Sequence, residues 1–201
     1  MIAGLTVADL VRPSDKGLAR LYDAALIACG SIAIALCTQV AVGAPVPVTG
    51  QTFAVLMLAA LLGRRRGILC VLAYLGQGLA GLPVFAYGKA GLAAFSGATG
   101  GYLAGFVLAA YVVGSLAERG WDRRVPTTVL AMVLGNLAIY ACGLAWLLCL
   151  DHLLGRPFEG NLLAVGVLPF LSGDLVKIAL AAVLLPSAWK RMRPGPGSTG
   201  T

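Results

Sequence analysis

The sequence predicts an all-α integral membrane protein of six transmembrane helices with both termini cytoplasmic. Three observations predict it. The first is composition: 59% of the 201 residues are hydrophobic and only 11% are charged. Soluble domains carry about 45–50% apolar and about 25% charged residues, and a chain this short cannot hide such an excess in one water-surrounded core. Lipid must therefore be the solvent for much of the chain. A soluble enzyme, a secreted disulfide scaffold and a disordered tail are excluded. The second observation is a set of long runs without a charge. The third is the one-sided distribution of Lys and Arg.

The spans follow in order. The first uncharged run covers residues 24–63, which is 40 residues and enough for two crossings of about 20. Gly43, Pro45, Pro47 and Gly50 near its middle break helix and read as a turn. Spans are thus expected at 21–43 and 51–63, the second short. Uncharged runs over 67–88, 90–117 and 125–150 give spans at 67–86, 99–118 and 125–150. The last apolar stretch gives a span at 162–189 that contains only Asp174 and Lys177 as charges. The chain reads as a single transmembrane domain, with a disordered tail at 194–201. The first 20 residues carry five charges and no compact apolar segment, so they do not read as a signal peptide.

Six spans sort the cations. Arg12, Lys16 and Arg20, then Arg64, Arg65 and Arg66, then Arg119, Arg123 and Arg124, then Lys190, Arg191 and Arg193 all fall on one side. The opposite loops hold only Lys89 and Arg156. That bias makes the first side cytoplasmic. The net charge of +7 is then topological, and no excess remains to imply nucleic acid.

Most residue patterns have a plain structural reading. Cys29, Cys37, Cys70, Cys142 and Cys149 form no C-x-x-C pair and read as small buried hydrophobes. His152 has no partners for a metal site. Gly76-Gln77-Gly78-Leu79-Ala80-Gly81 matches G-x-G-x-x-G but lies inside a transmembrane run, so it is not a dinucleotide fingerprint. Two small-residue stripes are ambiguous. Gly97, Gly101 and Gly105, and Ala24 and Ala28, would let another backbone approach closely, either inside the bundle or on a partner subunit.

Asp174 and Lys177 are different. Ionised groups at membrane depth are costly unless paired or solvated, so they mark function by default. Their i, i+3 spacing puts both on one helix face, as a self-neutralising pair or as part of a pocket. Pro169 and Gly173 should loosen the helix beside them, which suits a cavity wall. Other polar residues could complete such a pocket. They are Thr49, Gln51 and Thr52 at the start of span 2, and Gln77 in span 3. Tyr87, Lys89, Thr99 and Tyr102 lie in or beside the 3–4 loop, and Asn136 and Tyr140 share a face of span 5.

Several segments then resemble a known family. Val46-Pro47-Val48-Thr49-Gly50-Gln51-Thr52-Phe53 is similar to the V-P-[IV]-T-x-Q-T stretch of BioY proteins, and Leu62–Gly67 to their L-L-G-x-[RK]-x-G turn. Gly81–Phe85, Thr99–Phe106, Ile139–Trp146 and Pro169–Lys177 are similar too, so six matches run in order from residue 46 to 177. BioY proteins are the substrate-binding S components of energy-coupling-factor (ECF) biotin transporters. The resemblance implies a six-helix S-component fold and capture of biotin from the outer side of the plasma membrane, with no catalysis and no cofactor. By family motif Asp174, Lys177, Gln51 and Tyr102 match ligand-binding positions. It also implies a coupling transmembrane subunit and ATPase subunits as partners, with Ala24 and Ala28 at the partner contact. The sequence departs from the family at Leu103, where some relatives carry an arginine, and at Lys89, often Gly or Asn. Lys89 is therefore the candidate partner of the biotin carboxylate. The alternatives are an S component for another vitamin, an intramembrane enzyme using Asp174 and Lys177 as acid and base, and a structural membrane subunit.

Overall fold

The computed structural model describes residues 4–152 and 161–192. Arg156, Glu159, Arg193 and the expected tail at 194–201 lie outside the described residues. The chain is almost entirely helical: α1 (Lys16–Gln39), α2 (Gln51–Leu79), α3 (Leu92–Ser96), α4 (Gly100–Glu118), α5 (Val125–His152), α6 (Leu162–Gly166) and α7 (Leu168–Met192). Among the described residues, α1, α4, α5 and the α6–α7 stretch are long and apolar enough to cross a membrane.

Each boundary has a local cause. Asp15 caps α1 by accepting from the Leu18 N–H at 2.9 Å. After α1 the expected turn is a small β-hairpin, with β1 (Ala41–Val42) pairing antiparallel with β2 (Val48–Thr49). This corrects the purely α-helical expectation. The turn is too rich in Gly and Pro for helix, and the ladder satisfies its backbone groups.

α2 is a helical hairpin. Gly63 adopts φ 81° and ψ 177°, a conformation that ends a helix and suits only glycine. The two arms then run back along each other: a Cβ on Gly67 would sit 2.9 Å from the Ala59 Cα, and Gln51 reaches Tyr74. The second arm ends at Leu79, short of the expected residue 86. Gly81 turns the chain at φ 97°, and Phe85 folds back into the space left by Gly78.

α4 is the central helix, packed between α2 and α5. The glycine stripe makes that possible. A Cβ on Gly101 would meet the Cys142 carbonyl oxygen at 2.5 Å, and one on Gly105 would meet the Ile139 Cα at 3.0 Å. Gly101 and Gly105 therefore serve internal packing, while Gly97 lies before α4 and closes α3. Gly101→Ala is expected to cost about 1–3 kcal/mol by overpacking. Thermal unfolding in detergent checks this, and an unchanged Tm would contradict it. The alanine stripe behaves otherwise: Ala24 and Ala28 are exposed, while Gly30, Ile34 and Thr38 form the buried face of α1.

The expected loosening at Gly173 lies nearly two turns too late. The helix breaks at Val167 (φ −132°, ψ −53°), between α6 and α7. Pro169 is the second residue of α7, where its missing N–H costs nothing, and Gly173 is helical.

The first described residues, the end of α7 and the arginine-bearing turns gather at one end of the bundle. Arg66 bridges Asp9 and Asp23 at 2.8 Å each, and Arg12 pairs with Asp23 at 2.7 Å. Arg123 donates to the Leu5 carbonyl at 3.2 Å and stacks 4.3 Å from the Trp189 ring centroid. Asp122 accepts from the Trp189 indole N–H, and burial pushes its carboxyl up to about 6.

Candidate functional site

At the opposite end, α2, α4, α5 and α7 enclose a cavity with about 580 Å³ of space between its walls, mouth included. Its walls are mainly apolar and aromatic: Phe85, Leu103, Phe106, Ile139 and Phe170, with Val46 and Pro47 from the β-hairpin. Phe170 lies 6.0 Å from Tyr102 and 6.2 Å from Tyr140, ring centre to ring centre.

Two polar clusters interrupt this apolar surface. The first stands on α7, where residues 170, 174 and 177 share one face. Asp174 is only 4% exposed. Its Oδ1 accepts from Lys177 Nζ at 3.0 Å, and its Oδ2 accepts from the Tyr140 hydroxyl. Lys177 Nζ also donates to Thr52 Oγ1 at 2.7 Å. The carboxylate is thus held by a cation and a phenol, which offsets the cost of burying it. The second cluster stands on the α2 hairpin. Gln51 Nε2 donates to the Tyr74 hydroxyl at 2.9 Å, and that hydroxyl donates to the Val84 carbonyl at 3.2 Å. Gln51 Oε1 is left without a partner among the described residues, an acceptor available to a ligand. The Tyr102 hydroxyl donates to Gly166 O at 2.8 Å, satisfying a carbonyl beside the α6–α7 break.

The cavity therefore brings together Asp174, Lys177, Gln51, Tyr102 and Tyr140, with Thr49, Thr52 and Thr99. Four expected residues stand apart. Lys89 is exposed and outside the lining; it sits in the loop whose Phe85 and Ala86 form part of the wall. Asn136 is buried beside the cavity, in an adjoining crevice with Thr52 and Lys177, and its Oδ1 has no partner among the described residues. Gln77 donates to Ser31 at 3.0 Å and links α2 to α1. Tyr87 donates to the Gly43 carbonyl at 2.7 Å, tying two loops that line the cavity mouth.

The family follows from a match along nearly the whole chain. Residues 12–194 match the sequence profile of the BioY family. The chain belongs to the BioY family. It is a multi-pass membrane protein. BioY relatives include the biotin transporter BioY of Rhizobium etli, 36% identical over 168 residues, 80% of this chain and 87% of that one. The biotin transporter BioY of Thermotoga maritima is 39% identical over 140 residues, 70% of this chain and 79% of that one. The fold is similar to the crystal structure of the S-component for biotin from an ECF-type ABC transporter, with a TM-score of 0.69 at 23% identity, covering 91% of this chain and 97% of that one.

Within this BioY chain some lining residues escaped the sequence. Phe85, Phe106, Ile139 and Phe170 carry no signal separating a cavity wall from ordinary core. Tyr74 alone had one: a hydroxyl at the centre of an apolar span needs a partner.

Proposed function

We propose that this chain is the substrate-binding S component of an ECF-type biotin transporter, taking up biotin from the outer side of the plasma membrane. One observation carries the reading: the buried Asp174–Lys177–Thr52–Tyr140 cluster, set in an aromatic and aliphatic cavity at the end away from the arginines. Biotin's fused ureido ring offers two N–H donors and one carbonyl acceptor. Asp174 and the free Gln51 Oε1 suit the donors, Lys177 suits the carbonyl, and the aromatic walls suit the sulfur ring and tail. Asn136 lines a crevice with Thr52 and Lys177 beside the cavity, and its Oδ1, without a partner among the described residues, is a further acceptor there. The α2 hairpin supplies the second and third of six crossings. The arginine-rich end is cytoplasmic by the positive-inside rule, with both termini there.

In this reading the chain is a transporter rather than an enzyme, and biotin is cargo rather than cofactor. The exposed α1 face with Ala24 and Ala28 is where a coupling transmembrane subunit docks, and paired ATPases drive the cycle. Lys89, the cation beside the mouth, takes the biotin carboxylate. Lys89→Ala is then expected to weaken biotin by up to about fivefold, as for an exposed ion pair up to about 1 kcal/mol, and to leave biotin methyl ester unchanged. Equal losses for acid and ester would remove Lys89 from the site. The reading as a whole is tested by radiolabelled biotin uptake in cells lacking their own biotin transporter. Uptake should appear with this chain and rise with a co-expressed coupling module; no uptake in either background would contradict it.

A further inference from the structure

A second crevice lies at the arginine-rich end, about 20 Å from the cavity, centre to centre along α4 at 1.5 Å per residue. It is lined by Gly4, Arg64, Tyr111, Val112, Ser115, Leu116, Glu118 and Arg119, with about 1,210 Å³ of space including its open mouth. Arg64 and Arg119 form no ion pair with any described residue. Arg64 lies 5.6 Å from the Tyr111 ring centroid. The Ser115 hydroxyl is buried and without a hydrogen-bond partner among the described residues. Glu118 is the one anion of the wall, and it is engaged: its Oε1 accepts the Arg64 backbone N–H at 2.8 Å and closes the hairpin turn.

Two unpaired guanidiniums and a free hydroxyl are a donor set for an anion with several oxygens, such as a phosphate. The rest of the wall says which kind. Leu108 and Tyr111 are exposed on α4 in line with Val112, Ser115 and Arg119, so an apolar track leads from the donors toward the middle of the bundle. A soluble phosphate has no use for that track; a phospholipid does.

We propose that this crevice seats the phosphate of an anionic phospholipid between Arg64, Arg119 and Ser115, with an acyl chain along Leu108, Tyr111 and Val112. The inference rests on the arginine-rich end lying at a membrane surface. Such a lipid would bridge the α2 hairpin turn to the end of α4.

The test is native mass spectrometry of the full chain in mild detergent, titrated with phosphatidylglycerol, with phosphatidylcholine, and with phosphatidylglycerol in the presence of inorganic phosphate. Wild type should retain phosphatidylglycerol in preference to phosphatidylcholine, and millimolar phosphate should not displace it. Arg64→Gln/Arg119→Gln should weaken retention about 30-fold, as two cations at a lipid surface would. Arg119→Gln alone, at an exposed side chain, should weaken it about fivefold. Equal retention by wild type and both variants, or equal retention of the two lipids, would overturn the proposal; displacement by phosphate would assign the site to a soluble anion instead. Biotin titration of the same samples should be unchanged by either variant. Absence of biotin binding in wild type would count against the transport reading and leave the lipid result standing.

Discussion

Asp174→Asn is expected to lower biotin affinity by about 10- to 100-fold, while the protein remains a folded membrane protein. Removing one partner of a buried pair strands the other. Lys177 would keep its charge with its side chain only 18% exposed and Thr52 as its remaining partner. Breaking such a pair costs the fold about 3–5 kcal/mol; the affinity falls through the lost charged acceptor for the ureido N–H, about 1.5–3 kcal/mol, at 1.4 kcal/mol per tenfold. Stability and binding would both suffer, so the single variant cannot separate an ion pair that only holds helices from one that also reads a ligand. The double variant Asp174→Asn/Lys177→Gln does. A neutral pair of similar shape is tolerated in a buried site, so its Tm should return toward wild type. Biotin binding should stay lost, because the acceptor for the ureido N–H and the cation for its carbonyl are both gone. Recovery of Tm together with biotin affinity would reduce the pair to structure. Isothermal titration and thermal unfolding on the same preparations provide both readings.

Gly63→Ala is expected to be strongly destabilising. Its backbone conformation alone costs about 1–3 kcal/mol for any residue with a Cβ. The new carbon would also lie 2.8 Å from Thr6 Cγ2 and 2.9 Å from Glu118 Oε1. Glu118 cannot swing away freely, because it accepts the Arg64 N–H and closes the turn; losing that bond adds about 1 kcal/mol or more. Against a total stability of about 5–15 kcal/mol, the hairpin should loosen and Tm should fall by many degrees. The cavity spans both arms of that hairpin through Gln51 and Tyr74, so binding should weaken as well. A variant with wild-type Tm would mean that the turn tolerates another conformation.

What the sequence revealed and what it hid divide along physical lines. Charge is the strongest local signal in a membrane protein, so Arg64–Arg66 marked the hairpin turn, and Asp174 and Lys177 marked the cavity, without any knowledge of packing. The glycines at 101 and 105 declared a close approach but not its partner, which depends on how α4 meets α5. Pro169 and Gly173 pointed to a break near the site; the break came at Val167, because a proline in the first turn of a helix fits without disruption. The bonds from Tyr140 to Asp174, Lys177 to Thr52 and Gln51 to Tyr74 join residues 34, 125 and 23 positions apart. No periodicity in one segment encodes such distant pairings. The aromatic wall was hidden for a related reason, since Phe85 or Phe170 looks the same to the sequence whether it faces a core or a ligand.

The central claim is that the cavity binds biotin. Its most direct test is isothermal titration of biotin into the purified wild-type protein in detergent, with thiamine and riboflavin as comparison ligands. The account predicts saturable one-to-one binding of biotin and none of the other two. A folded preparation that gives no saturable biotin binding, or that binds another vitamin in its place, would contradict it.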